Sequence, residues 1–217
     1  MKKVLLFDLD GTLLNTITDL SNAVNHALSA FSLPTHSEEA ILRMVGNGIK
    51  SLMMRAIPGG EDNPLFSDVF AEFRRYYAIH KHDNTAPYDG VPEMLSALAA
   101  AGYTAAIVSN KIDSAVKELW RESFPETVAF ALGECEGIPR KPEPEMVYAA
   151  LRALNAEPAD AYYIGDSEVD VMTARNAGLP CLSVLWGFRT KEDLLAAGAD
   201  TLFETPADLA EYLLSEI

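Results

Sequence analysis

Three features of the sequence predict an α/β protein: short apolar strands alternating with amphipathic helices after residue 85, an all-helical stretch over 15–84, and one apolar strand ahead of it. Together they describe a parallel sheet covered by helices, with a small helical domain inserted after the first strand. Val4-Leu5-Leu6-Phe7 supplies that strand, an aliphatic run suited to burial on both faces. Past Thr12 the pattern turns helical. Apolar residues recur at helical spacing over 19–31, 37–45, 47–57 and 64–80, and Thr35-His36-Ser37, Gly46-Asn47-Gly48 and Pro58-Gly59-Gly60 separate these runs. Residues 83–90 read as a return linker. Pro92 then opens a helix that Gly102 ends, 103–108 is a strand, 113–123 a helix and 128–132 a strand. Residues 143–154, 161–164, 168–177 and 181–184 continue the alternation. The simplest assembly is discontinuous: residues 1–14 and 85–217 form the sheet domain, and 15–84 the helical insertion.

Composition narrows the function. Of 217 residues, 49% are hydrophobic and 23% charged, which suits a packed globular core. The net charge of −15 argues against a nucleic-acid partner, because phosphate neutralisation needs a basic patch. The same acidity repels anions at long range, so a phosphate site must carry its own local cation. Ala97 to Val108, the longest apolar region, is broken by Gly102 and is too short to span a bilayer. The apolar run after Lys3 stops at Asp8, short of a signal-peptide core. A cytoplasmic protein without membrane contact, monomeric or homodimeric, is expected. Cys181 lies in an apolar strand-like run and reads as a core residue. Four residues separate Cys135 from Arg140, where a cysteine-phosphatase loop has five and a glycine-rich cradle.

Ligands of open α/β sheets bind beyond the carboxyl ends of the strands, so the polar residues found there are the candidates. Asp8 and Asp10 follow the first strand, then Gly11-Thr12. Ser109, Asn110 and Lys111 follow 103–108; Gly165, Asp166, Ser167 and Asp170 follow 161–164; and Lys141 in Arg140-Lys141-Pro142 precedes a helix. Two carboxylates about 4 Å apart repel by roughly 4 kcal/mol at an effective dielectric near 20. Protons or a hard cation must neutralise such a cluster, and Mg²⁺ suits all-oxygen donors. Each element also has a plain structural reading. Asp-Gly breaks a strand, Ser109-Asn110 starts a helix, Ser167-x-x-Asp170 is a capping box, and a lysine is usually solvated. All four arriving in order at strand ends is much harder to obtain by accident.

Asp8-x-Asp10-Gly11-Thr12, Ser109-Asn110, Lys141-Pro142 and Gly165-Asp166-Ser167-x-x-Asp170 resemble the four motifs of the haloacid dehalogenase superfamily. The resemblance runs the length of the chain. Val45-Gly46-Asn47-Gly48, Trp186-Gly187-Phe188-Arg189 and Ala197-Gly198-Ala199-Asp200 are most similar to its phosphoglycolate phosphatase branch. The resemblance implies a Rossmann-like parallel sheet core and a small all-helical cap domain that selects the substrate. It implies a Mg²⁺-dependent phosphatase of a small phosphorylated metabolite, with 2-phosphoglycolate the preferred guess. Asp8 would be the nucleophile and Asp10 the acid/base. Mg²⁺ would be held by Asp8, the Asp10 carbonyl and Asp166, with Asp170 acting through a water or from behind them. Lys141, Ser109 and the backbone near Asn110 would bind the phosphoryl oxygens. Arg43, Lys50 and Arg55 are candidates for a substrate carboxylate, though such residues are more often solvated. Pyrophosphate, sugar phosphates and nucleotides are alternative substrates, and a phosphosugar mutase an alternative activity. Mutases of this superfamily typically carry a histidine in place of Leu20 and a valine in place of Thr12, which disfavours that activity. Many relatives carry an acidic residue where this chain has Asn15.

Overall fold

The computed structural model describes residues 3–46 and 48–216. Asn47, of the Gly46-Asn47-Gly48 motif, lies outside them. In chain order the strands are β1 (Val4–Phe7), β2 (Leu14–Asn15), β3 (Ala86–Pro87), β4 (Thr104–Ile112), β5 (Val128–Glu134), β6 (Ala161–Gly165), β7 (Cys181–Val184) and β8 (Leu202–Phe203). The helices are α1 (Ile17–Ala30), α2 (Glu38–Met44), α3 (Gly48–Ala56), α4 (Phe66–His80), α5 (Val91–Ala100), α6 (Asp113–Ser123), α7 (Glu145–Ala153), α8 (Glu168–Ala177), α9 (Lys191–Ala197) and α10 (Pro206–Ser215). Two compact units result: Met1–Leu14 with Pro87–Ile217, and Asn15–Ala86.

The first unit is a three-layer α/β sandwich of Rossmann-like type. Its six-stranded sheet runs in the order β5-β4-β1-β6-β7-β8, with every pairing parallel. Alternation along β1 explains the layers, since successive side chains of a strand point to opposite faces. Leu5 and Phe7 join Val91, Leu95 and Leu98 of α5, Val116 of α6 and Leu209 of α10 in one core. Val4 and Leu6 join Met146, Val147 and Leu151 of α7 and Ala174 and Ala177 of α8 in the other. The chain leaves β1 for β4 and β5 on one side and for β6, β7 and β8 on the other. This reversal beside β1 is where such sheets open a ligand crevice.

Register completes the arrangement. Phe7 lies level with Ile107 of β4 and Ile164 of β6. The residues that follow these three therefore emerge side by side at one rim. β4 runs four residues beyond the expected Val108, and the pairing with β5 shifts between Val108 and Ile112. Such a bulge kinks the strand and re-aims its side chains.

The second unit is helical: α1 packs against α4 and α2, and α3 against α2 and α4. Leu20, Val24, Ala27 and Leu28 of α1 and Val69 and Phe73 of α4 are buried, as their helical spacing requires. Arg43 pairs with Glu39 and Lys50 with Glu61, while Arg55 Nη1 donates to the carbonyls of Met44 (2.6 Å) and Gly46 (3.2 Å). All three candidate carboxylate readers thus have partners inside this unit. Buried in it, Asp19 accepts hydrogen bonds from the Asn84 backbone N–H (3.0 Å) and Nδ2 (2.8 Å) and from the Thr85 backbone N–H (2.8 Å) and Oγ1 (2.8 Å). Among the described residues no helix is long and apolar enough to cross a membrane.

Candidate active site

Past β1 the chain folds back on itself. The Leu9 carbonyl accepts hydrogen bonds from Thr12, Leu13 and Leu14, and Asp8 N–H still pairs with Ile164 of β6. Asp8 therefore stays in the sheet plane while Asp10 is turned away from it. Gly11 makes this bend at φ 88°, a left-handed conformation that side chains rarely adopt. A Cβ there would also lie 2.5 Å from Asp166 Oδ2. At Gly187 a Cβ would meet both Asp166 Cβ and the Gly11 carbonyl at 2.3 Å. Both glycines keep space clear around one carboxylate.

Asp8, Asp166 and Asp170 each offer an oxygen to a cluster in which these atoms lie within 4.8 Å of one another. Lys141 Nζ sits among them, 2.9 Å from Asp8 Oδ1 and 2.8 Å from Asp170 Oδ1. Asp166, Asp170 and Lys141 are at most 2% exposed. One cation for three carboxylates leaves the cluster short of positive charge, and the proton affinities reflect it. Burial pushes Asp8 up to about 8, with Lys141 opposing and Asp170 and Asp166 adding to the rise. Burial pushes Asp166 up to about 7, helped by Asp170 and opposed by Phe188 N–H and Thr12. Burial works against the charge of Lys141, but Asp170 and Asp8 outweigh it and hold the ammonium well above its ordinary range.

Each member has a dedicated holder. Asp8 Oδ1 also accepts the Leu9 N–H at 2.7 Å. Thr12 Oγ1 donates to Asp166 Oδ1 (2.9 Å) and Phe188 N–H to Asp166 Oδ2 (2.8 Å), while Trp186 Nε1 donates to the Thr12 carbonyl (2.9 Å). Asp170 Oδ2 accepts the Ser167 N–H (3.1 Å) and hydroxyl (2.6 Å), and Tyr163 OH donates to Asp170 Oδ1 (3.3 Å). Ser167 and Asp170 therefore cap α8, and Asp170 at the same time holds Lys141 Nζ. Asn110 is committed to Lys141: its Nδ2 donates to the Lys141 carbonyl and its Oδ1 accepts the Lys141 N–H, both at 2.9 Å. Ser109 is buried and its Oγ accepts the Lys111 N–H at 3.2 Å. The Asp10 carboxylate is not part of the three-acid cluster; its Oδ1 pairs with Lys111 Nζ at 2.8 Å.

Asp8, Lys141, Asp166 and Asp170 thus meet at one point, with Ser109 and Asn110 on the adjoining bulge. Thr12, Lys111, Trp186 and Phe188 complete the surroundings without having been singled out for a role. Trp186-Gly187-Phe188 was visible as a motif, yet what Phe188 gives Asp166 is a backbone N–H that no residue type announces. The cluster fits a hard divalent cation: all its carboxylate donors are oxygens, and a single ammonium faces three acids.

The family model of haloacid dehalogenase-like hydrolases matches residues 5–184. A phosphoglycolate phosphatase of Thiobacillus denitrificans is 31% identical over 213 residues, covering 96% of this chain and 94% of that protein. An N-acetylmuramic acid 6-phosphate phosphatase of Pseudomonas aeruginosa is 30% identical over 213 residues, covering 97% and 94%. The crystal structure of a candidate phosphoglycolate phosphatase from Lactobacillus delbrueckii subsp. bulgaricus superposes with a TM-score of 0.93 at 33% identity, covering 98% of this chain and 99% of that one.

Proposed function

The chain belongs to the haloacid dehalogenase-like hydrolases, on their phosphoglycolate phosphatase-like branch, and from that premise we propose that it is a Mg²⁺-dependent phosphatase working through an aspartyl phosphate. It is a phosphoric monoester hydrolase. The observation that carries the mechanism is Lys141 wedged between Asp8 and Asp170 at the edge of a buried three-carboxylate cluster.

Asp8 is the nucleophile. Lys141 and the Leu9 N–H both hold its Oδ1, which leaves Oδ2 to attack phosphorus. The Lys141 ammonium, 2.9 Å from Asp8 Oδ1, would pair with a phosphoryl oxygen brought up to Asp8, and it supplies the local cation an acidic protein needs. Ser109 and the Asn110 backbone N–H would serve the same charge; the Lys111 N–H is held by Ser109 Oγ. The Asn110 side chain is taken by Lys141, so its share falls to its main chain. Asp10 protonates the leaving oxygen and then takes a proton from the water that cleaves the acyl phosphate. Asp8, Asp166 and the Asp10 carbonyl would hold Mg²⁺, and Asp170, occupied by Lys141 and Ser167, would orient the site from behind. When bound, the ion offsets the cluster's charge and that of the phosphoryl group.

The substrate is a small phosphorylated metabolite, with 2-phosphoglycolate in first place because relatives of that name match along nearly their whole length. A phosphorylated amino sugar is the second reading, since a relative named for N-acetylmuramic acid 6-phosphate is 30% identical. Residue types at Leu20 and Thr12 weigh against a mutase. The two free cysteines accord with a reducing, cytoplasmic setting. Measuring kcat/KM with Mg²⁺ over 2-phosphoglycolate, sugar phosphates, nucleotides and pyrophosphate tests the assignment. A clear preference for 2-phosphoglycolate is expected; a preference of about tenfold for a sugar phosphate would overturn it.

A further inference from the structure

We propose that Lys111 is the positioning residue of the acid/base: it holds the Asp10 carboxylate so that the proton passes to and from the reacting oxygen at Asp10 Oδ2. The inference rests on the reading of Asp8 as nucleophile and Asp10 as acid/base. Lys111 Nζ lies 2.8 Å from Asp10 Oδ1, and the lysine side chain is only 7% exposed against 21% for the aspartate. Lysine is among the residues least often buried, and here the ammonium has been brought inward to meet one carboxylate.

Its place is built by the backbone. Four residue steps of β4, from Val108 to Ile112, span two of β5, from Leu132 to Glu134. Ser109, Asn110 and Lys111 are thus displayed on a bulge instead of continuing the ladder. Gly133 locks that bulge from the next strand. A Cβ at Gly133 would lie 2.5 Å from the Lys111 carbonyl and from Asp113 Cα, and Gly133 N–H donates to Asp113 Oδ1 at 3.0 Å. From below, Ser109 Oγ accepts the Lys111 N–H. A solvated surface lysine would need none of this support.

The chemistry follows from one carboxylate with two oxygens. Lys111 fixes Oδ1, so the proton is carried on Oδ2. In the first step an electron pair of Asp8 Oδ2 forms the bond to phosphorus. The bond from phosphorus to the leaving oxygen breaks with its pair on that oxygen, and the oxygen takes the Asp10 proton. Asp10 is left as a carboxylate paired with the Lys111 ammonium. In the second step that carboxylate takes a proton from water as the water oxygen attacks phosphorus, the Asp8 oxygen departs with its pair, and phosphate is released. Charge and atoms balance, and Asp10 ends protonated once more.

The test compares leaving groups. An alkyl alkoxide must be protonated as it leaves, whereas 2,4-dinitrophenolate needs no proton. Because kcat/KM reports only steps up to formation of the acyl phosphate, it isolates the acid role. Lys111→Met and Lys111→Gln are each assayed with ethyl phosphate, 2-phosphoglycolate and 2,4-dinitrophenyl phosphate on the same sample, so the ratios do not depend on how much protein is folded. For both alkyl esters kcat/KM is expected to fall about 100-fold, at least tenfold more than for the dinitrophenyl ester. With the dinitrophenyl ester kcat and KM should fall together, because the later, Asp10-assisted hydrolysis slows. Equal loss on all three esters, complete loss included, would overturn the inference. So would a loss confined to 2-phosphoglycolate, which would make Lys111 a reader of the substrate carboxylate. Asp8→Asn abolishes turnover of all three; should it not, the nucleophile assignment fails, independently of Lys111.

Discussion

Asp8 and Asp19 are both buried aspartates, one in each unit, and their surroundings push them in opposite directions. Burial raises Asp8 to about 8, and two further carboxylates add to the rise against a single lysine. Burial acts to raise Asp19 as well, but donors from Asn84 and Thr85 overcome it and hold its carboxyl below the usual range. A fully satisfied carboxylate is structural: it ties the start of α1 to the residues leading into β3. A crowded carboxylate is under stress, and a cation or an electrophile relieves it. Acidity alone does not separate the two; the count of donors against competing charges does.

The largest expected contrast comes from removing each carboxylate in turn. Asp8→Asn should lower kcat by at least about 10⁴-fold, yet leave the melting temperature of the metal-free protein unchanged or higher at pH 8, because it removes a repelled charge. Asp19→Ala should do the reverse. It leaves the Asn84 and Thr85 donors without their acceptor, for a loss of about 2–4 kcal/mol. Calorimetry together with steady-state kinetics separates these outcomes.

Next in size is the response to pH. Asp8 and Asp166, at about 8 and about 7 in the native state, lie above their unfolded value of 3.8. The native protein therefore binds more protons than the unfolded chain between these limits, and its stability falls as pH rises through them. Asp19 has the opposite sign: its contribution is present above the unfolded value and is lost as pH falls below it. Thermal melts without metal should show stability declining from pH 5 to pH 8. Mg²⁺ should raise the melting temperature more at pH 8 than at pH 5, and EDTA should abolish turnover.

Gly187→Ala probes the crowding from another side. Its Cβ would strike Asp166 and the Gly11 carbonyl, so Mg²⁺ affinity measured by titration calorimetry should weaken about 10- to 100-fold. The smallest effects belong to the helical unit's surface. Lys50→Ala and Arg43→Ala remove exposed ion pairs worth about 0.2–1 kcal/mol at most, and KM should change less than about threefold.

Much of this was readable in the chain, for reasons that differ by element. Asp8 and Asp166 directly follow apolar strands, so the rule for open sheets points at them, and Lys141 and Asp170 stand at helix starts beside them. Thr12 and Phe188 hold Asp166 from 154 and 22 residues away, one through a backbone N–H. Nothing in local sequence marks such contacts. Polar Ser109-Asn110-Lys111 suggested that β4 had ended at Val108, whereas pairing with β5 carries it to Ile112. β2, β3 and β8 are two residues each, too short for any periodicity to register. Asp19 stood only as the first residue of a helical run; its partners arrive 65 and 66 residues later.

The stress on Asp8 matters only if that carboxylate reacts. Acid-quenching the enzyme within a single turnover of 2-phosphoglycolate and mapping phosphate by peptide mass spectrometry tests this directly. A phosphoryl group on Asp8, absent from the Asp8→Asn protein, is the expected result. Phosphate mapped to another residue, or normal turnover by the Asp8→Asn protein, would contradict it.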